Sequence, residues 1–321
     1  MINKPIIIVG GEPNSIFLEI FFKSIKSVNF DSPLIIITSK ELLVKQMKKL
    51  DFNYKINLID KNYKKFPKLD NKRINLINVD YKFKNPFEKI TKKSNIFIDC
   101  CFTIALEILK KNKFKKFING PISKRHFLKE NFLGITEYLA DKTKKTNKVA
   151  MLIYSEKLSV SPITTHLPLK EVHKNISKKK IIDQVNLINL FYKKKFNKKP
   201  KIAITGLNPH CESNYKSSEE DRIIKPAIKI LLEQKSIVYG PFAADTIFMK
   251  EQSEKYDVII GMYHDQVLTP LKSLFGFNAI NITLGLPFIR ISPDHGPNYG
   301  MLGKNKSDPK SLIEALKFLD K

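Results

Sequence analysis

Three histidines in this chain share a setting that suits metal chemistry. His166 follows the run PITT, His210 follows KIAITGLNP and His264 follows DVIIGMY. Each falls just past the carboxyl end of an expected strand, the edge of an open α/β sheet at which ligands bind. One such imidazole reads as well as a satisfied polar residue. Three at equivalent positions make a divalent metal site the sharper reading, and imidazole suits Zn²⁺, Co²⁺, Ni²⁺ or Fe²⁺. Their spacing is not a local zinc signature. A second observation lies around His264. Between Asp257 and Gly303 the only Lys or Arg side chains are Lys272 and Arg290, in a chain otherwise saturated with lysine. A segment that escapes the charge bias of its own chain is constrained by packing and by chemistry. Its two cations suit an anionic substrate group, phosphate or carboxylate, as against two surface charges. Asp245 in PFAADT and Asp265 directly after His264 are candidate acid–base or orienting carboxylates, or caps of helix starts. His295, in the polar turn SPDHGP, could line a cofactor pocket, whereas His126 and His173 lie in lysine-rich surface sequence.

These residues need a frame that ends several strands at one edge. Strands are expected at Pro5–Val9, Pro33–Thr38, Ile74–Val79, Lys115–Asn119, Val149–Tyr154, Lys201–Thr205, Ile237–Tyr239, Val258–Met262 and Ala279–Thr283. Helical patterns fall between them at Ser15–Ser27, Lys40–Leu50, Lys178–Phe191, Glu219–Glu233 and Pro309–Leu319, with Asp308 as N-cap of the last and Pro309 at its first position. Ile96–Leu109 starts like a strand and ends like a helix; it is assigned as helix. Strands alternating with helices argue for an α/β fold with a mainly parallel sheet. Gly120-Pro121 and the polar segment Asp141–Lys148 mark a crossover between two domains. The lysine-rich stretches near 60–72 and 175–200 read as solvated loops and helix faces. GGEPNS follows a strand and precedes a helix, but it lacks both GxGxxG and the Walker spacing, so no nucleotide is assigned to it.

Composition narrows the class further. At 321 residues the chain has room for about two domains, and 42% apolar residues support a real core. The net charge of +26 raises nucleic acid or an anionic membrane as partners. Only Arg73, Arg125, Arg222 and Arg290 of the 57 basic residues are arginine, the residue suited to bidentate phosphate and base contacts, and the lysines are scattered. A general Lys, Asn and Ile bias explains this better, so no specific nucleic acid and no membrane partner is expected. Cys100, Cys101 and Cys211 show no CxxC spacing and fit a reducing compartment. The apolar run in MINKPIIIVGGEP is too short for a signal segment, and nothing approaches the roughly 18 apolar residues of a span. The expectation is a soluble, cytoplasmic protein.

Together the motifs resemble the 4-hydroxythreonine-4-phosphate dehydrogenase family, NAD-dependent enzymes of pyridoxal-phosphate biosynthesis. The resemblance spans nearly the whole chain. It is carried by GEP at Gly11–Pro13, NGPISK at Asn119–Lys124, TTHLPL at Thr164–Leu169, GLNPH at Gly206–His210, ADT at Ala244–Thr246, YHDQ at Tyr263–Gln266, NITLGLPFIR at Asn281–Arg290 and DHG at Asp294–Gly296. It implies a two-domain isocitrate/isopropylmalate dehydrogenase-like fold with a cleft between domains. The expected limits are 1–140 plus 298–321 for the first and 141–297 for the second. It implies a homodimer whose active site is shared across the interface. The metal ligands fall on His166, His210 and His264, the last supplied by the partner subunit, for one Zn, Co or Mg ion per site. Substrate positions fall on Thr136, Lys272, Asn281 and Arg290, with Asp245 and Lys272 as catalytic groups. Ser292, Asp294, His295 and Gly296 match part of the site for NAD, with NADP left open.

The chemistry that follows from the resemblance is oxidation of 4-phosphooxy-L-threonine. The metal lowers the pKa of the C3 hydroxyl, a base takes its proton and hydride leaves to NAD⁺. The β-keto acid, 2-amino-3-oxo-4-phosphooxybutanoate, then loses CO₂ to give 3-amino-2-oxopropyl phosphate. Three departures stand out. Ile135 replaces the family's histidine directly before Thr136. The N-terminal loop carries Ser15, Phe17 and Leu18 where small residues or proline are usual. Pro297 replaces threonine after DHG. Ile135 motivates the alternative of a related 4-phosphorylated threonate or erythronate as substrate. A non-catalytic polyanion binder on the same fold would explain the charge but not the histidines.

Overall fold

The computed structural model describes residues 3–60, 69–128, 132, 134–146, 148–211, 217–276, 279–293 and 296–321. These residues form strands β1 (Ile6–Val9), β2 (Leu34–Thr38), β3 (Ile56–Leu58), β4 (Ile74–Asn78), β5 (Lys116–Asn119), β6 (Ala150–Tyr154), β7 (Ser159–Thr164), β8 (Ile202–Thr205), β9 (Val238–Phe242), β10 (Val258–Tyr263), β11 (Ile280–Leu284) and β12 (Ile289–Ser292). The helices are α1 (Phe17–Ser27), α2 (Lys40–Lys49), α3 (Ser94–Lys111), α4 (Ile135–Lys142), α5 (Lys178–Phe196), α6 (Lys225–Glu233), α7 (Lys250–Ser253), α8 (His264–Phe275) and α9 (Lys310–Asp320). The chain folds as two compact units, Met1–Tyr138 with Pro287–Lys321, and Leu139–Leu286.

In the first unit the sheet order is β3-β4-β2-β1-β5-β12, and each neighbouring pair is parallel. Helices α3 and α9 pack on it, and α1 packs on α2 and α9. A parallel sheet covered on both faces needs apolar side chains at every position, not at alternate ones. The runs IIIV of β1 and LIIIT of β2 supply this, and every residue in both is buried. In the second unit the order is β11-β6-β7-β10-β8-β9. Strands β11, β6 and β7 pair antiparallel, while β7, β10, β8 and β9 pair parallel. Its core gathers Met151, Ile153, Val160, Ala203 and Ile259 with Val267 and Leu271 of α8.

The structure corrects several expectations. The second boundary falls at 286/287 and not at 297/298, because β12 pairs parallel with β5 and so belongs to the first unit. Strands β3, β7 and β12 are additions to the expected set. In β7 the serines and a proline disguise a central strand; Ser159 bonds Tyr192 Oη, Ser161 Oγ donates to Met151 O, and Pro162 O accepts from Gln184 Nε2. Helix α8 is a further addition, since Pro270 interrupts its pattern. The expected helix from Glu219 begins instead as a π-helical turn, Glu220–Ile224, and becomes regular at Lys225, where Pro226 removes one N–H from the ladder. Helix α9 starts one residue later than expected, at Lys310, and the Asp308 carboxylate still accepts the Lys310 N–H at 2.9 Å. The segment 94–111 is helical throughout. All three cysteines are free thiols. No helix among the described residues is long and apolar enough to cross a membrane.

Candidate active site

In the second unit, Thr164 at the end of β7 stands opposite Tyr263 at the end of β10. The chain therefore leaves the sheet at one edge in both places, and His166 and His264 follow at once. Their ring centroids are 5.8 Å apart. His264 opens α8, and its Nδ1 lies 2.6 Å from Asp265 Oδ1. A carboxylate accepts, so this contact places the proton on Nδ1 and leaves the Nε2 lone pair for a ligand. His210 sits in the turn Pro209–Cys211 after β8, exposed and in the left-handed region at φ 57. Among the described residues no three His, Cys, Asp or Glu side chains are grouped closely enough to hold an ion. One chain thus brings together two of the three expected ligands, His166 and His264, and does not add His210 to them. Within this chain the His264 ring lies beside that of His166. Two imidazoles, one with a committed tautomer, are donors of the right kind for a borderline divalent ion.

The turn that carries His210 is clamped by Glu220, which is fully buried. Its carboxylate accepts the N–H of Leu207 at 2.7 Å, the N–H of Asn208 at 2.9 Å and Asn208 Nδ2 at 2.9 Å. Burial raises its pKa, and the bonds from Asn208 and Leu207 outweigh this and leave it below the usual value. Asp245 is exposed between β9 and α7, and its charge acts on the Cys211 thiol, whose pKa burial and then Glu220 and Asp245 push up. Asp245 therefore lies near the His210 turn. Lys272 is exposed on α8, eight residues beyond His264 and so about 12 Å further along the axis. Asn281, half-buried on β11, has a buried Oδ1 with no hydrogen-bond partner among the described residues. An amide oxygen in that state is suited to receive a ligand's donor.

In the first unit, Arg290 of β12 is completely buried. Its Nε donates to Asn119 Oδ1 at 2.7 Å and its Nη1 to Thr136 Oγ1 at 3.4 Å. Asn119 ends β5 and turns its own Nδ2 to Gly120 O at 2.8 Å, which fixes the amide with its oxygen toward the guanidinium. Burial pulls Arg290 down to about 10 against the charge of Glu137, so it stays cationic at neutral pH. Thr136 lies in the first turn of α4, beside the half-buried Ile135. Tyr138, two residues on, donates to Asp99 Oδ1 of α3 at 2.6 Å and holds that turn in place.

The expected cofactor residues are placed in part. Ser292 is half-buried at the end of β12 and Gly296 is exposed; Asp294 and His295 lie outside the described residues. Just beyond, Pro297 O accepts the Ile16 N–H at 3.3 Å, so this loop meets the GEPNS loop after β1. That loop packs backbone to backbone on the start of Gly120–Pro121. Gly11 has φ +74, and a Cβ on it would lie 2.4 Å from Pro121 O. Inside the loop is Glu12, 1% exposed and absent from the expected site residues. Its Oε2 accepts from Ser94 Oγ at 3.0 Å and its Oε1 from the Asn14 N–H at 3.3 Å. Burial raises Glu12 to about 7, the two hydrogen bonds pulling the other way.

Strands that end in an imidazole pair in one unit, and in a buried arginine beside a tight loop in the other, are the plan of an α/β enzyme. The family described as Pyridoxal phosphate biosynthetic protein PdxA matches residues 29–319. A 4-hydroxythreonine-4-phosphate dehydrogenase from Sulfurihydrogenibium sp. (strain YO3AOP1) is 40% identical over 311 residues, 95% of this chain and 94% of its own. A D-threonate 4-phosphate dehydrogenase from Salmonella typhimurium (strain LT2) is 34% identical over 220 residues, 68% of this chain and 67% of its own. The crystal structure of 4-hydroxythreonine-4-phosphate dehydrogenase from Klebsiella pneumoniae superposes with a TM-score of 0.85 at 28% identity, covering 99% of this chain and 97% of that one. The chain belongs to the PdxA family. It is an oxidoreductase of the dehydrogenase type, acting on a CH–OH group.

Proposed function

We propose that this chain oxidises the C3 hydroxyl of 4-phosphooxy-L-threonine, with NAD⁺ taking the hydride and one proton released. The product 2-amino-3-oxo-4-phosphooxybutanoate then loses CO₂ to give 3-amino-2-oxopropyl phosphate. The observation that carries this reading is the His166–His264 pair, with His264 Nδ1 committed to Asp265. His166 and His264 hold a divalent ion such as Zn²⁺, Co²⁺ or Mg²⁺, with His210 as third ligand in a homodimer. When bound, that ion supplies Lewis acidity, which acidifies the hydroxyl and later polarises the ketone. Arg290, fixed by Asn119, binds an anionic end of the substrate with Thr136 beside it. Asn281 offers its buried Oδ1 to a substrate donor. Asp245 accepts the hydroxyl proton and Lys272 steadies the anionic substrate. The loop from Ser292 to Gly296 takes the dinucleotide.

The test is NADH formation at 340 nm by chelated protein, with and without Zn²⁺, Co²⁺ or Mg²⁺. Metal-dependent turnover of 4-phosphooxy-L-threonine is the expected result. A second reading has its own support: Ile135 stands where the family has a substrate-contacting histidine, and one relative is named for D-threonate 4-phosphate. A kcat/KM clearly higher on 4-phosphorylated threonate would replace the first reading by this one.

A further inference from the structure

The first turn of α4 carries Thr136, whose Oγ1 accepts from Arg290 Nη1 at 3.4 Å. Directly before it this chain has Ile135, so the turn offers a substrate one polar side chain fewer than the family's histidine would give it. The placement of the Thr136 hydroxyl then matters more, and it is set from behind. Tyr138 is 4% exposed, and its hydroxyl donates to Asp99 Oδ1 of α3 at 2.6 Å. Burial, and then the bond to Asp99 and its charge, push the phenol's pKa up, so at neutral pH it is a donor. The ring of Tyr138 also begins a row. It meets Phe102 of α3 edge-on at 5.5 Å between centroids; Phe102 meets Phe117 of β5 at 6.3 Å, and Phe117 meets Phe288 at 5.4 Å. Edge-to-face contacts of this kind are directional, and a close-packed interior passes a shift of one ring to the next. Three rings of the row stand two residues from a polar group of the arginine site: Tyr138 after Thr136, Phe117 before Asn119 and Phe288 before Arg290. On a strand, residues two apart share a face, so Phe117 lies on the face of β5 from which Asn119 meets Arg290. The rings back the guanidinium and both its partners as one layer, and the Tyr138–Asp99 bond fixes α4 to that layer.

We propose that Tyr138 and Asp99 are positioning residues of the substrate site: their bond holds the Thr136 hydroxyl at the guanidinium of Arg290, and so sets affinity for the anionic end of the substrate without either residue touching it. The proposal rests on the reading of Arg290 and Thr136 as substrate groups.

The experiment uses the full chain and steady-state kinetics, on whichever of 4-phosphooxy-L-threonine and 4-phosphorylated threonate the wild type turns over faster. Tyr138→Phe deletes one hydroxyl and keeps the row of rings. It is expected to raise KM for the phosphorylated substrate about 3- to 10-fold, the span of one hydrogen bond, and to leave the dissociation constant of NADH, read by fluorescence titration, unchanged. Asp99→Ala should do the same, and Asp99→Asn, which keeps an acceptor, should restore most of the wild-type KM. In a Thr136→Val background Tyr138→Phe should add nothing further, because its effect runs through that hydroxyl. A merely structural role would lower the urea midpoint and leave KM untouched. Wild-type KM in Tyr138→Phe and Asp99→Ala, or an undiminished effect of Tyr138→Phe in the Thr136→Val background, would overturn the proposal. If Asp99→Ala does not fold, Tyr138→Phe decides by the same criteria. Arg290→Lys separates the two levels of the argument. A raised KM there beside a wild-type KM in Tyr138→Phe would overturn this proposal alone. An unchanged KM in Arg290→Lys, or no turnover of either substrate by the wild type, would remove the substrate reading of Arg290 and this proposal with it.

Discussion

Replacing Glu12 by glutamine should stabilise the protein in base and leave it nearly unchanged in acid. Glu12 is 1% exposed, receives two hydrogen bonds, and is raised by burial from 4.5 to about 7. A carboxyl raised in this way binds its proton more tightly in the folded chain than in the unfolded one. Its contribution to stability is then complete below about pH 4.5, declines as the pH rises, and is lost above about pH 7. Each tenfold gain in proton affinity on folding corresponds to roughly 1.4 kcal/mol. The difference between the two values therefore penalises the folded wild type by roughly 3 kcal/mol at pH 8.5, and by less than about 1 kcal/mol at pH 5. Glutamine matches the neutral acid in size and does not ionise, so Glu12→Gln escapes the penalty. Urea unfolding of both proteins at the two pH values measures it. The midpoint of the variant should exceed that of the wild type at pH 8.5 by an amount that nearly vanishes at pH 5. A gap independent of pH, or one that widens toward acid, would show that Glu12 is not a desolvated carboxyl and would refute the reasoning.

Two further outcomes follow from the geometry of the first unit. Arg290→Lys keeps the charge but loses the fork that reaches Asn119 and Thr136 together; KM for the phosphorylated substrate should rise by about 10-fold or more, the equivalent of one charged hydrogen bond, and unchanged steady-state kinetics would place Arg290 outside the substrate site. Gly120→Ala would put a Cβ 2.3 Å from Gly10 O and 2.7 Å from the Phe17 ring; because the first obstacle is backbone, the loops must part, and stability in urea should fall by on the order of 2–3 kcal/mol, whereas a wild-type midpoint would show that the loops are not closely packed.

The sequence announces its frame wherever burial leaves it no choice. IIIV and LIIIT are read as strands because both faces of a covered parallel sheet must be apolar. Helix α5 is legible because Lys178, Lys179, Lys193 and Lys194 stay exposed while Ile181, Val185 and Ile188 are buried. Where polar residues do structural work, the pattern misleads. Strand β7, with Ser159, Ser161 and Pro162, is central in its sheet because its hydroxyls find partners across the core, which no periodicity shows. Helix α8 hides behind Pro270. The histidines are legible by position, since β7 and β10 are parallel and in register and therefore release His166 and His264 at one edge. That the Gln266 and Asn119 amides bond to neighbouring chain groups is not, because an amide in a motif looks the same whether it faces ligand or backbone.

The charge of +26 and the composition of the site have one physical explanation. An exposed position accepts lysine at little free-energy change, since the ammonium keeps its water, and the exposed lysines of α5 stand in that situation. A position at the carboxyl edge of the strands does not. There, side chains answer several fixed partners at once, as Gln266 does with Met262, Thr205 and Gly206, and Arg290 with Asn119 and Thr136. Lysine's ammonium has no acceptor to replace Gln266 and no planar fork to replace Arg290. A drift toward lysine is thus filtered by burial and by hydrogen-bond type, and the segment it spares is the one in which polar groups already have fixed duties. At its buried positions, such as Gln266 and Arg290, this filter contributes to the scarcity of cations between Asp257 and Gly303.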